Sequence, residues 1–314
     1  VSIHPAQDAS PADDFDEFAF LPEQAAAQQR PVPPGRRVHI PLPDGRTVGA
    51  LAYGEGRPRV VLLHGAGLNA HTWDTTVIAL GLPVLAIDLA GHGDSSWRDD
   101  ADYRPRVLAD DVVRALEAWA AAPVVLVGHS LGGLTAAAVA ARRPDLVAQL
   151  VVVDITPGID ASGGPATLRR FYEQTVFADR DELLDRALAF GLGGSREQAR
   201  RGVFLNSRVR ADGRVEWRHH YARLISEDAP SPAGSPADGW SDLAGVVAPI
   251  TLVRATSGFV SERDAAELAE RTGATVVEFD APHNVQEVAF TDLASLIARL
   301  ADSADAASEG KPTA

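Results

Sequence analysis

The chain has 314 residues and a formal net charge of −14, with 46% hydrophobic residues, no cysteine and no methionine. That length suits one large α/β domain or a domain carrying an insertion, and the apolar share is ample for a core. The acidic balance argues against a nucleic-acid partner, which needs a basic face; the missing cysteines exclude disulfides, thiolate catalysis and Cys-ligated zinc; no run approaches the ~20 apolar residues of a membrane span.

Residues 1–35 carry six acids and one arginine among Ala, Gln and Pro, and end in PVPPG. Such a stretch buries too little apolar surface to fold alone and reads as a flexible arm. It lacks the basic and apolar regions of a signal peptide, so the expected location is cytoplasmic. FDEFAFLP, 15–22, is its one sticky piece; docking on the body and an untethered tail are both open.

Strands at 37–42 and 47–53 flank Pro43-Asp44-Gly45, a hairpin signal. RVVLL, 59–63, reads as a buried strand ending in His64-Gly65-Ala66-Gly67, and 82–89 as the next, ending in DLAGHGDS, 88–95. Residues 103–121 have helical spacing, with Val107, Leu108, Val112, Leu116 and Trp119 on one side. Four apolar residues, 124–127, lead straight into Gly128-His129-Ser130-Leu131-Gly132, and LTAAAVAAR then reads as helix. A Gly-x-Ser-x-Gly between strand and helix is a nucleophile elbow, a turn so tight that the serine takes a strained backbone and holds its Oγ clear of the sheet. Gly132 and Gly133 each cost a helix about 1 kcal/mol relative to Ala, so something other than helix propensity placed them. QLVVVDI, 149–155, is another apolar strand. Continuous apolar runs alternating with amphipathic helices predict an α/β fold with a mostly parallel sheet covered on both faces.

The rhythm breaks after Thr156-Pro157-Gly158. From 159 to 245 there are helical stretches (166–177, 180–190, 196–205, 217–225) and a Pro/Ser/Gly loop, 229–239, but no apolar strand. Such an insertion at a strand's carboxyl end reads as a helical cap over a site. Alternation resumes with a strand at 250–255, a helix at 261–271, a strand at 275–280, His283 and a helix at 288–300. The core is thus expected at 36–158 and 246–302, with a disordered tail at 303–314.

HGAGLNAHTW (64–73), DLAGHGDS (88–95), GHSLGG (128–133), the cap position and APHN (281–284) together resemble the α/β-hydrolase fold over roughly residues 36–302. The resemblance is to capped hydrolases that need no cofactor or metal, such as esterases, lactonases and carbon–carbon bond hydrolases. It implies a serine nucleophile, an acid and a late histidine, in that order.

Ser130 needs a base to lose its proton as it attacks a carbonyl. His283, in the loop after the last strand, is the candidate. The oxyanion needs two backbone N–H donors; Leu131 supplies one and Ala66, counted within HGAG, the other. The acid departs from the common pattern. Relatives carry Gly-x-x-Asp after the strand at 250–255, whereas this loop reads Thr256-Ser257-Gly258-Phe259-Val260-Ser261. Glu262 and Asp264 suit the amino end of a helix. Asp154, at the carboxyl edge of VVVDI and 24 residues after Ser130, would be partly buried and need a partner, which His283 provides; Asp280 is the poorer alternative. His64, His92 and His129 are expected to shape turns, Asp88, His92 and Asp94 to hold a loop rather than a metal, and His219 and His220 to sit on a cap helix, solvated or with one facing the pocket. The leading reading is a serine hydrolase of an ester, lactone or similar activated carbonyl in a small apolar substrate. A carbon–carbon hydrolase or perhydrolase on the same residues remains open, and so does a slow-turnover ligand receptor or binding module.

Overall fold

A computed structural model describes residues 16–159, 164–192, 195–224 and 234–309. The expectations for 1–15, for part of the 229–239 loop and for 310–314 lie outside the described residues. The core strands are β1 (Gly35–Pro41), β2 (Thr47–Tyr53), β3 (Val60–Leu63), β4 (Val84–Ile87), β5 (Val124–His129) and β6 (Val147–Val153). The inserted segment, the expected cap, adds β7 (Val176–Phe177), β8 (Ser207–Val209) and β9 (Val215–Trp217), and the core closes with β10 (Ile250–Ser257) and β11 (Thr275–Pro282). Eight strands form one sheet in the order β1-β2-β4-β3-β5-β6-β10-β11. Only β2 runs against its neighbours. The other pairings, from β4 to β11, are parallel.

The apolar runs follow from burial on both faces. Leu63, Leu126 and Val152 point into one cluster, and Leu62, Val127 and Val153 into the other. Because side chains alternate along a strand, a sheet covered twice leaves no polar position in 60–63, 124–127 or 150–153. The helices are α1 (Leu21–Ala27), α2 (Asp74–Leu80), α3 (Pro105–Trp119), α4 (Leu131–Arg142), α5 (Gly164–Tyr172), α6 (Arg180–Ala189), α7 (Arg196–Asn206), α8 (Tyr221–Leu224), α9 (Pro236–Gly245), α10 (Glu262–Thr272), α11 (Val285–Val288) and α12 (Phe290–Glu309). Leu108, Leu134, Leu243 and Leu268 put α3, α4, α9 and α10 over the first cluster, while Val77 and Ile297 put α2 and α12 over the second.

The structure corrects several boundaries. The insertion is not purely helical, because β7, β9 and β8 form a small antiparallel sheet inside it, and Phe171, Phe177, Leu183 and Trp217 form its own core. Helix α9 belongs to the core layer rather than the cap: Leu243 joins the first cluster and Asp242 pairs with Arg106 of α3 at 3.0 Å. Helix α12 continues to Glu309, past the expected start of a tail at 303.

The largest correction concerns the arm, whose residues from 16 onward pack on the body. Leu21 and Ala25 are buried in the second cluster, Phe18 sits edge-on to Tyr53 and His71, and Phe20 meets Phe204 of the cap at 6.1 Å. A seven-residue helix is not stable alone in water, so these contacts hold α1. Glu17 pairs with Arg37 and, at 3.1 Å, with His71, whose other nitrogen faces Asp74 at 3.0 Å.

This pairing makes arm docking pH-dependent. Burial alone would lower the His71 pKa, but the Asp74 charge and hydrogen bonds to Asp74 and Glu17 outweigh it and push the group from 6.5 up to about 9. Burial would likewise raise the Glu17 pKa, but its bonds to His71 and Arg37 hold it well below the usual carboxylate range. A raised histidine stabilises fully below its unfolded value and loses that contribution as pH climbs through the folded one; a depressed carboxylate stabilises above its unfolded value and loses it on acidification. Asp74 stays beside His71 when the arm leaves, so the part that belongs to docking is the Glu17–His71 pair, which holds while His71 is protonated and weakens as pH climbs through about 9. Amide exchange across residues 18–28, corrected for intrinsic rates, should be faster near pH 10 than near pH 6. Equal protection at both would remove His71 from the clamp.

Candidate active site

The carboxyl ends of β3, β5, β6, β10 and β11 line up in that order, since these strands are sheet neighbours. Ser130 sits at the turn from β5 into α4 with φ 51° and ψ −120°, a conformation side chains rarely take. Gly128 makes the turn possible, because a Cβ there would lie 2.2 Å from the Gly132 carbonyl oxygen. A Cβ placed on Gly65 would lie 3.2 Å from the Ser130 Cβ, so the HGAG loop runs beside the serine. Among the described residues no acceptor takes the N–H of Ala66 or of Leu131, the first residue of α4. Helix starts leave such donors free.

Asp154 directly follows β6, is completely buried and also has positive φ, 49°. Strain of this kind persists where the surroundings over-determine it. Its Oδ1 accepts the Ala255 N–H at 3.0 Å, and its Oδ2 accepts the Phe259 N–H at 2.7 Å. His283 Nδ1 lies 2.7 Å from the same Oδ2. A carboxylate can only accept, so Nδ1 carries a proton, and in the neutral ring Nε2 is the atom with the free lone pair. Residues 255–259 thus meet Asp154 with main chain. Gly258 permits this, since a Cβ there would fall 2.1 Å from Asp154 Oδ2.

Two rings pack against the imidazole of His283. Phe259 stacks on it with ring centroids 3.6 Å apart and planes 12° apart, and His129 lies at 4.5 Å. His129 Nε2 donates to the His283 carbonyl at 3.0 Å, and burial, with the nearby His283, keeps His129 neutral. The sequence did not single out Phe259; a Gly-Phe pair where an acid is missing was its one trace.

The other acids lie elsewhere. Asp280 accepts from Thr256 at 3.2 Å, Asp264 closes a capping box with Ser261, and Glu262 is exposed, 4.0 Å from Arg254. His64 donates to the Gly65 carbonyl and accepts the Leu89 N–H; His92 accepts the Gly67 N–H and donates to Ala90. Asp88 accepts from Ala70 and Asp94 N–H groups and pairs with Arg37, while Asp94 pairs with His39. These bonds pin the loop after β4 to the loop after β3, which runs beside the serine.

His219 and His220 differ from expectation. They precede α8, and neither is solvated on a helix. His219 is buried and stacks on His92 at 5.8 Å. His220 stacks on Trp97 at 4.4 Å, and its N–H donates to the Gly91 carbonyl at 2.7 Å. With Tyr172, whose hydroxyl donates to the Gly67 carbonyl at 3.2 Å, they fasten cap to core. A cavity of about 120 Å³ lies beyond Gly67, lined by apolar Leu68, Leu168, Phe171, Val203, Leu205 and Trp217 and by polar Asn69, His71, Thr72, Gln198, Arg201, Asn206, Asn284 and Glu287. Ser130 and His283 do not line it; it begins one residue beyond Gly67 and one beyond His283.

A family model described as the alpha/beta hydrolase fold matches residues 58–290. The chain belongs to that family and is an α/β-hydrolase enzyme. It is 39% identical over 285 residues to esterase Rv0045c of Mycobacterium tuberculosis, covering 87% of this chain and 91% of that one. A solved structure of the M. tuberculosis esterase Rv0045c superposes with a TM-score of 0.79 at 37% identity, over 92% of this chain and 99% of that one. Lipase LipV of M. tuberculosis is 29% identical over 78% of this chain and 94% of its own length.

Proposed function

We propose that this enzyme hydrolyses carboxylic esters of small, largely apolar acids, with Ser130, His283 and Asp154 as its catalytic triad. Ser130 Oγ attacks the ester carbonyl while His283 Nε2 takes its proton. The negative charge on the carbonyl oxygen falls to the Ala66 and Leu131 N–H groups. The imidazolium, held against Asp154, returns the proton to the leaving alcohol. Water then attacks the acyl-serine by the same route, releasing the acid and restoring Ser130. The observation that carries the reading is the 2.7 Å bond between His283 Nδ1 and a wholly buried Asp154. An esterase relative of nearly full length supports the ester class.

The cap cavity beside this centre suits the acyl group. Cavities of ~150 Å³ hold a benzene ring, so 120 Å³ accommodates a chain of about five or six carbons. Saturable turnover of p-nitrophenyl butyrate and hexanoate is expected, with kcat/KM falling at least about tenfold for the dodecanoate, each lost contact being worth about 1–3 kcal/mol. Binding of short esters without turnover would instead make the protein a receptor on an enzyme's fold. A rate that rises through the dodecanoate would separate the acyl site from this cavity.

A further inference from the structure

We infer that Phe259 is a positioning residue for the general base, setting the plane of the His283 imidazole and stabilising its protonated form; this rests on the triad reading above. A single hydrogen bond from Nδ1 to Asp154 leaves the ring free to rock about the bond axis, and that rocking would swing Nε2 through an arc. Ring contacts restrict it. Phe259 lies almost parallel on the ring at 3.6 Å, and His129 lies tilted at 4.5 Å and is itself tied to the His283 main chain.

Phe259 touches both members of the pair. Its main-chain N–H binds the same carboxylate oxygen as the imidazole, at 2.7 Å, while its ring covers the imidazole. Main-chain and side-chain roles can therefore be separated, because substitution keeps the N–H and changes only the face. An aromatic face also attracts a cation. The imidazole becomes cationic only as Ser130 loses its proton, so this attraction grows toward the transition state, where it raises kcat rather than tightening substrate binding.

Phe259→Leu keeps apolar bulk and removes the aromatic face; Phe259→Tyr keeps the face. Measured on p-nitrophenyl butyrate, the leucine variant should lose about 10- to 100-fold in kcat, the scale of a misplaced catalytic group, with KM within about twofold. The tyrosine variant should stay within about threefold of the parent. The low-field Nδ1–H proton resonance, assigned by its loss in His283→Gln, should broaden in the leucine variant and stay sharp in the tyrosine one. Should the leucine variant fail to fold, Phe259→Met takes its place. A normal kcat for Phe259→Leu, or an equal loss for Phe259→Tyr, overturns the inference. Ser130→Ala run in parallel separates the two readings: if it is inactive and Phe259→Leu is normal, only the role of Phe259 falls, whereas an active Ser130→Ala removes the triad itself.

Discussion

Ser130→Ala is expected to lower kcat by roughly 10⁴- to 10⁶-fold, the cost of losing a triad nucleophile, with little change in fold or melting temperature. The geometry makes this a clean substitution. Ser130 takes its positive φ because β5 must turn into α4 within one residue, and alanine meets the same backbone strain as serine there. The Ser130 N–H, which donates to the Val153 carbonyl at 3.0 Å, is retained. What disappears is the hydroxyl alone, so the loss reads the chemistry and not the elbow. A serine-directed phosphonate should label the parent at this residue and leave the variant unlabelled. Near-normal turnover by the alanine variant, on an ester that the parent cleaves, would sink the triad reading.

The parts of the molecule legible in the sequence are those set by local pattern. A strand buried on both faces must be apolar throughout, and Val124 to Val127 could be placed for that reason. A turn with no room for Cβ atoms must carry glycine, and Gly128 and Gly132 marked the elbow. Asp154 stood out because a carboxylate closing an apolar strand needs a partner, and its burial beside His283 meets that need. Other features depend on partners distant in the chain. FDEFAFLP marked the sticky part of the arm, but nothing local shows where Glu17 and Leu21 would dock; their order comes from Arg37, His71 and the face of β2 and α2. Residues 236–245 fell within the expected cap with no helix read there, yet they form α9, which Arg106 and the first cluster claim for the core. Phe259 acquires its place from Asp154, 105 residues earlier. The two adjacent cap histidines gave no hint that one would lie buried on His92 and the other on Trp97.

Asp154→Asn is expected to lower kcat by about 10³- to 10⁴-fold, as when a triad acid loses its charge, and also to lower the melting temperature. Asparagine tolerates positive φ well, so the backbone at 49° is kept and the effect belongs to the side chain. Both carboxylate oxygens are occupied by donors: Ala255 N–H on Oδ1, and Phe259 N–H with His283 Nδ1 on Oδ2. An amide offers one oxygen, so its NH₂ must face a donor whichever way it turns. Turned toward Phe259 and His283, the NH₂ donates to Nδ1 and drives the imidazole proton onto Nε2, where it blocks proton abstraction from Ser130. Turned toward Ala255, it preserves the tautomer but leaves that buried N–H unmet, at about 1–3 kcal/mol. In both orientations the charge that steadies the imidazolium is gone. Glu262→Gln and Asp264→Asn, which touch neither His283 nor Asp154, should leave kcat within about twofold, as surface changes away from the site do. Full activity in Asp154→Asn would move the acid elsewhere, to be sought first at Asp280 and then at Glu262.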